Sequence, residues 1–239
     1  MKHFIIFSVL FLLISCSQKT NPDFNNILWI QTAAEYQASC DQAYNSASLN
    51  IEAALGDSRW TAAIEQTNDY YELPPAVIFD IDETVLDNSF YQAQLVLDDS
   101  EYQLSSWDKF IQMLSAKDIS GAVAFIHYIQ NKGIEVLFIT NRECHKRVNS
   151  LLPCPQESDT IENLKTLGIS GITENNILLK NEFIDWGSEK KSRRKYISEK
   201  YRIIMLFGDD LVDFISEVKK DITTKNLKEI KKIYNFVTT

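Results

Sequence analysis

The chain has 239 residues, 45% hydrophobic and 24% charged, the balance of a soluble globular protein and not of a disordered or fibrous one. Lysine plus arginine number 24 against 33 aspartate plus glutamate, a net charge of −9, which removes the basic footprint that DNA and RNA binders need. Seven glycines and five prolines argue for long helices joined by economical turns, and four cysteines are too few for a disulfide scaffold.

In chain order, residues 1–15 read as a signal peptide. Lys2 and His3 precede an apolar run from Phe4 to Ile14, too short for a permanent bilayer span. Its end, Leu13-Ile14-Ser15-Cys16, resembles the bacterial lipobox. Cys16 would then carry the lipid, residues 16–27 would form a tether, and acyl chains would hold the domain at a membrane at about 0.8 kcal/mol per buried methylene. The expectation is an exported bacterial lipoprotein at the outer membrane or cell surface. The plainer alternative is an ordinary signal peptide with an incidental cysteine.

Trp29, Ala33, Tyr36, Cys40, Ala43, Ala47, Ile51 and Leu55 recur at the spacing of one face of a long helix. A second helix is predicted near Thr61 to Tyr70, closing a helical prelude of residues 28–70. Pro74-Pro75 then stops it before a buried strand, Ala76 to Phe79. Beyond an insert at 88–118, helices at Ala122 to Gln130, Thr160 to Leu167 and Glu189 to Lys200 alternate with strands at Ile134 to Ile139, Ile177 to Leu179 and Ile203 to Phe207. Short strands apolar on both faces and separated by helices predict an α/β fold, a parallel sheet covered on both sides in three layers. The core is assigned to 76–87 and 119–213, with a Lys-rich tail at 214–239.

Ligands of open parallel sheets bind at the carboxyl ends of the strands. There, the first strand empties into Asp80-Ile81-Asp82-Glu83-Thr84, the Ile134 strand into Thr140-Asn141-Arg142, and the Ile203 strand into Gly208-Asp209-Asp210-Leu211-Val212-Asp213. Carboxylates converging from two strands repel unless a hard cation with oxygen ligands joins them, and Mg2+ is the expected ion. Asp-x-Asp alone is usually a turn or cap. The ordered set, each member directly after an apolar run, is what departs from that background.

The set resembles the haloacid dehalogenase superfamily of phosphotransferases, whose four motifs are matched by Phe79 to Asn88, Ile139 to Arg142, Lys190 and Gly208 to Asp213. The similarity narrows to the class C bacterial acid phosphatases, the lipoprotein 5′-nucleotidases, through Leu28 to Tyr36, Thr140 to Cys144, Cys154-Pro155-Gln156 and Ser188 to Arg194. The resemblance covers residues 28 to about 213 and implies a Rossmann-like haloacid dehalogenase fold with a mostly helical N-terminal and cap region. It departs in the tail: Ile215 to Thr239 lacks the family's Pro-Asn-Pro and Tyr-Gly segment, which leaves substrate choice and turnover open.

The resemblance implies a magnesium-dependent hydrolysis of phosphate monoesters, nucleoside 5′-monophosphates first. Asp80 would be the nucleophile and carry an aspartyl-phosphate, and Asp82 would act as acid and then base. Thr140, Asn141 and Lys190 would bind the phosphate, with adjacent Lys191 the rival of Lys190. Asp80, the main-chain carbonyl of Asp82, and Asp209 would hold the metal; Asp213 would be a further ligand or orient Lys190. Phe90, Tyr91 and Trp107 of the insert would stack on a base, worth about 1 to 3 kcal/mol, unless they simply pack the insert against the first helix. Cys144 and Cys154 bracket the loop after the second motif in an exported protein, and with Cys16 lipidated and Cys40 on the helical stripe they are the pair left for a disulfide; two separate thiols are the alternative. The partners implied are a small phosphorylated substrate and a membrane through Cys16, with no nucleic-acid polymer, and a homodimer is among the assemblies allowed. Two other readings stand beside this one: a broad phosphomonoesterase, and a surface lipoprotein using the fold as a ligand-binding scaffold.

Overall fold

In the computed structural model of the chain, residues 24–67 and 69–216 are described. The export segment with Cys16, most of the tether, and the tail from residue 217 lie outside them. The elements in order are α1 (Phe24–Thr32), α2 (Ala34–Gly56), β1 (Pro75–Phe79), β2 (Leu86–Asp87), α3 (Ser89–Leu97), α4 (Leu104–Gln112) and β3 (Lys117–Asp118). There follow α5 (Ala122–Asn131), β4 (Glu135–Glu143), α6 (Pro155–Thr166), β5 (Ile177–Lys180), α7 (Lys191–Ser198) and β6 (Arg202–Phe207).

The four long strands form one parallel sheet in the order β5-β4-β1-β6. Alternation along each strand divides the core in two. Val77, Phe79, Val136, Phe138, Ile177 and Leu179 face one layer, which holds α2, α5 and α6. Ala76, Ile78, Leu137, Ile139, Leu178 and Ile203 face the other, with Ile197 of α7, Trp186 and Ala63. Both faces are apolar because both are covered, the reason these strands read as continuous runs and not as alternations. The second sheet is the antiparallel pair β2 and β3, which closes the root of the insert by pairing Leu86 with Asp118 and Asp87 with Lys117.

Four expectations are corrected. The tether does not reach residue 27: helix α1 starts at Phe24 and buries Ile27. The long helix expected along Trp29 to Leu55 is not continuous, because the chain breaks at Ala33, and Trp29 is half exposed. Among the described residues no helix forms near Thr61 to Tyr70. That segment instead supplies hydrogen-bond partners to the open edge of β6: Ala62 N donates to the Ile203 carbonyl, while the Gln66 side chain accepts from Ile203 N and donates to the Tyr201 carbonyl, each at 2.8 Å. Covering an exposed sheet edge outweighs local helix propensity there. Finally, the Ile134 strand does not end at Ile139. It runs to Glu143, and its register with β5 slips between Thr140 and Glu143; such a bulge re-aims side chains.

Tyr44, absent from the expected helical stripe, is the residue by which α2 reaches the site. It is buried, stacks on Phe207 at 5.1 Å, and donates from its hydroxyl to the Thr84 carbonyl at 2.8 Å. Gly121 starts α5 at φ 86°, and a Cβ there would sit 3.0 Å from the Tyr44 ring, so a side chain is excluded by both backbone and space.

Candidate active site

Beyond β1 the chain turns back on itself. Val85 N and Leu86 N both donate to the Ile81 carbonyl, at 2.9 and 2.8 Å, and Glu83 takes φ 61°. Asp80 N donates to the Phe207 carbonyl at 2.8 Å, fixing the end of β1 against that of β6. Asp80 and Asp82 thereby come to one sheet edge, next to the loop that follows β6.

Lys190 links the two strands. Its ammonium, on a side chain 3% exposed, lies 2.6 Å from Asp80 Oδ1 and 2.5 Å from Asp213 Oδ1. Lys191 is exposed, so geometry selects Lys190 of the adjacent pair. One carboxylate oxygen from each of Asp80, Asp209 and Asp213 falls within 4.8 Å of the others. Three anionic oxygen donors that close, with one ammonium between two of them, fit a hard divalent cation. The side-chain triad includes Asp213, and the Asp82 side chain is turned elsewhere.

Burial raises the Asp80 carboxyl to about 7, against the opposing pull of Lys190, with Asp213 and Asp82 adding to the rise. Burial and then Asp213 raise Asp209 to about 6. Glu83 rises to about 8 from burial, Asp82 and Asp209. All three are the mark of negative charge crowded without sufficient compensation.

Asp82 is gripped from the next strand. Arg142, fully buried, donates to Asp82 Oδ1 from Nη2 at 2.8 Å and from Nε at 3.1 Å, while Asn88 Nδ2 donates to the same oxygen at 2.9 Å. Thr160 holds the other end of the guanidinium, 3.1 Å from Nη1. Thr140 is fully buried and its Oγ1 accepts from Arg142 N at 3.0 Å. Asn141 is exposed, with Oδ1 accepting from Arg193 Nη2 at 2.9 Å.

Sequence reasoning missed the arginines. Arg193 and Arg194 are fully buried on α7. The former reaches the Asn141 side chain and the Gly187 carbonyl at 2.8 Å. The latter donates to the Asp213 carbonyl at 2.8 Å and pairs with Glu65 at 2.6 Å. Lys190, Arg193 and Arg194 stand at i, i+3 and i+4, one helical face; that spacing in Lys-Lys-Ser-Arg-Arg was the available signal. Gly208 is needed for close approach, since a Cβ there would run into the Asp213 side chain.

The insert forms the wall beside Arg142. The Trp107 ring centre is 5.8 Å from the guanidinium carbon, and Tyr91 meets Trp107 edge-on at 4.9 Å. Tyr91 is buried, with its hydroxyl 2.9 Å from Ser106 Oγ, so most of it packs the insert, and the part left open lines the same cavity as Phe90. Phe90 is exposed, on a separate cavity of about 550 Å³ between α3 and α4. Cys144 and Cys154 are joined by a disulfide, and Cys40 is a free thiol.

With four motifs from four separate elements meeting at one sheet edge, comparison with known proteins is informative. Residues 14–235 match the family model described as HAD superfamily, subfamily IIIB (acid phosphatase). This chain belongs to that family. The match runs past Asp213, where the motif reading stops. The class C acid phosphatase from Bacillus anthracis, solved with tungstate bound, is 31% identical with a TM-score of 0.72, covering 88% of this chain and 78% of that one. A second structure of the class C acid phosphatase from that organism gives a TM-score of 0.71 at the same identity and coverage. The chain is thus a phosphoric monoester hydrolase with the haloacid dehalogenase α/β fold.

Proposed function

We propose that this acid phosphatase is magnesium-dependent, works through an aspartyl-phosphate on Asp80, prefers nucleoside 5′-monophosphates, and is anchored to a membrane through Cys16. The observation that carries the catalytic part is Lys190, held between Asp80 and Asp213 at the edge where Asp209 completes a carboxylate triad.

Phosphoryl transfer needs an aligned nucleophile, a proton donor and positive charge on the phosphoryl oxygens. Asp80 attacks phosphorus as the ester oxygen leaves. Asp82, oriented by Arg142 and Asn88, gives that oxygen a proton and then takes one from the water that hydrolyses the intermediate. Lys190 neutralises charge on Asp80 and the phosphate, and Thr140 and Asn141 shape the oxygen pocket. Asp80, Asp209 and the Asp82 carbonyl would hold a magnesium ion, which would supply positive charge to offset that of the phosphoryl oxygens; Asp213 would orient Lys190 or join the ligands.

One observation favours the broader reading, a phosphomonoesterase without base preference. Tyr91 is buried and Trp107 packs on Arg142, which leaves Phe90 as the open ring among the three. The deciding assay compares a nucleoside monophosphate with an aryl phosphate on purified enzyme, with magnesium and with chelator. A kcat/KM ratio near one supports the broad reading, and activity indifferent to chelator ends the magnesium proposal.

For the anchor, the support is the Leu13 to Cys16 pattern and the Cys144–Cys154 bridge, which suits an oxidising compartment. Among the described residues no helix is long and apolar enough to cross a membrane. Lipid labelling lost in Cys16→Ser is the expected result; labelling that persists refutes it.

A further inference from the structure

The disulfide closes a loop whose contents reach away from the phosphate pocket. Within it, Arg147 turns toward the insert and forks onto Asp108 of α4, Nε to Oδ2 and Nη2 to Oδ1, both 2.7 Å. Its remaining nitrogen, Nη1, pairs with Asp159 of α6 at 2.5 Å. Gln156, fully buried on α6 directly after the bridge, donates to Asp108 Oδ1 at 2.9 Å and accepts from His145 N at 3.2 Å. His145 Nε2 stands 3.7 Å from the same Asp108 oxygen. One carboxylate on the insert is thus held by three residues of the core, two of them inside the ten-residue span between Cys144 and Cys154.

A bidentate arginine fork fixes direction as well as distance. Asp108 directly follows Trp107, whose ring lies over Arg142, and Arg142 is the residue that grips Asp82. The insert is also tied by the β2–β3 ladder, by Gln31, which donates to Asp87 at 3.1 Å, by Gln92, which donates to Glu83 at 2.9 Å, and by Asn163, which donates to the Ala116 carbonyl at 3.0 Å, none of them a contact of α4. The far helix α4 therefore takes its polar fixing from Arg147 and Gln156, together with its packing on α6. Holding Trp107 over Arg142 keeps water from the guanidinium, and a charged fork in a drier site is the stiffer one.

From this chain of contacts we infer that Arg147 and Asp108 are positioning residues: their ion pair, presented by the Cys144–Cys154 loop, sets the insert so that Trp107 covers the Arg142–Asp82 pair. The inference rests on the proposed role of Asp82.

Four variants of the magnesium-loaded enzyme test it: Arg147→Ala, Trp107→Ala, the pair combined, and Arg147→Lys, with Asp108→Asn standing in if the alanine variant does not fold. Kinetics are read on a nucleoside monophosphate, and hydrogen exchange on residues 104–112. Arg147→Ala and Trp107→Ala should each lower kcat/KM about tenfold, mostly in kcat, and the combination should lower it no further, since both act through one contact. Arg147→Lys should recover part of the loss, and exchange in α4 should quicken in Arg147→Ala alone. Losses that multiply to about a hundredfold, or Arg147→Ala with unchanged kinetics and unchanged exchange, overturn the inference; a merely structural ion pair would lower stability and show no coupling to Trp107. Should the unmodified enzyme prove inactive with magnesium, the reading of Asp82 has failed, and exchange in α4 alone decides whether the pair holds the insert.

Discussion

Replacing Lys190 by Met keeps most of the side chain's bulk and removes its charge, leaving Asp80 and Asp213 without the ammonium now 2.6 and 2.5 Å away. At an effective dielectric near 20, each contact is worth about 6 kcal/mol before desolvation. Burial of the partners cancels much of that, and breaking such a pair leaves a net loss of about 3 to 5 kcal/mol. At roughly 2 to 4 °C per kcal/mol for a domain of this size, Tm of the metal-free variant should fall about 10 °C at pH 8. The fall should be smaller at pH 5. Asp80 titrates above its ordinary value, near 7, so its contribution to stability is complete below the normal carboxylate range and fades as pH rises toward 7. Magnesium gives the opposite sign: a triad relieved of its ammonium should bind the ion about tenfold more tightly, or about 1.4 kcal/mol, and saturating magnesium should raise Tm about 3 to 6 °C more than in the parent. Turnover should nevertheless be lost. Calorimetry with and without magnesium at both pH values checks all of this. An unchanged metal-free Tm together with an unchanged magnesium shift would show that Lys190 does not balance these carboxylates.

Asp80→Asn should abolish turnover while leaving circular dichroism unchanged; a tenth of the parent rate would remove Asp80 from the nucleophile's place. Chelator should eliminate activity and magnesium restore it, with Asp209→Ala needing far more metal, a titration of rate against free magnesium being the check. Gly208→Ala places a methyl where the Asp213 side chain now lies, so it should displace that carboxylate from Lys190 and lower kcat about a hundredfold; parent kinetics in that variant would mean that the Asp213 contact is dispensable.

How far these features were legible follows from what each depends on. The strands and the motifs after them are local: four apolar runs, three of them emptying into a polar cluster, announce a parallel sheet and its ligand-binding edge before any contact is known. The placement of Asp80, Asp82, Thr140 and Asp209 at that edge was readable for that reason, whereas Lys190, at the head of a helix, was singled out by the resemblance to the third motif. The segment near Thr61 was misread because its partner is the edge of β6, a strand more than 130 residues away, and no local pattern reports an edge that needs covering. Tyr91 was left between stacking and packing because a ring on an insert looks the same in sequence whether it faces a ligand or Trp107. The buried arginines were hidden by habit of composition: Lys-Lys-Ser-Arg-Arg reads as a solvated helix face until the sheet supplies the Thr140 strand and the Asp213 loop that Arg193 and Arg194 hold.

That arrangement of charge also explains why the site calls for a cation. Asp80, Asp82, Glu83, Asp209 and Asp213 gather around one edge, and among the described residues Lys190 and Arg142 are the cations paired with them directly. Arg193 and Arg194 are equally buried, but the first is directed at neutral carbonyl groups and the second at Glu65 and the backbone of Asp213. They give the edge its shape, and Arg193 offsets its negative charge only from a distance, through the fields of Asp80 and Asp213. A phosphate ester brings further negative charge to that edge, and against three uncompensated carboxylates its entry is opposed at close range. Removing the repulsion by protonation is open to Glu83, Asp80 and Asp209, whose carboxyls are raised to about 8, 7 and 6, but a protonated Asp80 is no nucleophile. A divalent cation at the triad removes the same repulsion while leaving Asp80 ionised. Metal and protons therefore compete for the same oxygens, and lowering the pH should raise the magnesium concentration needed for half-maximal rate as first Asp80 and then Asp209 takes up a proton.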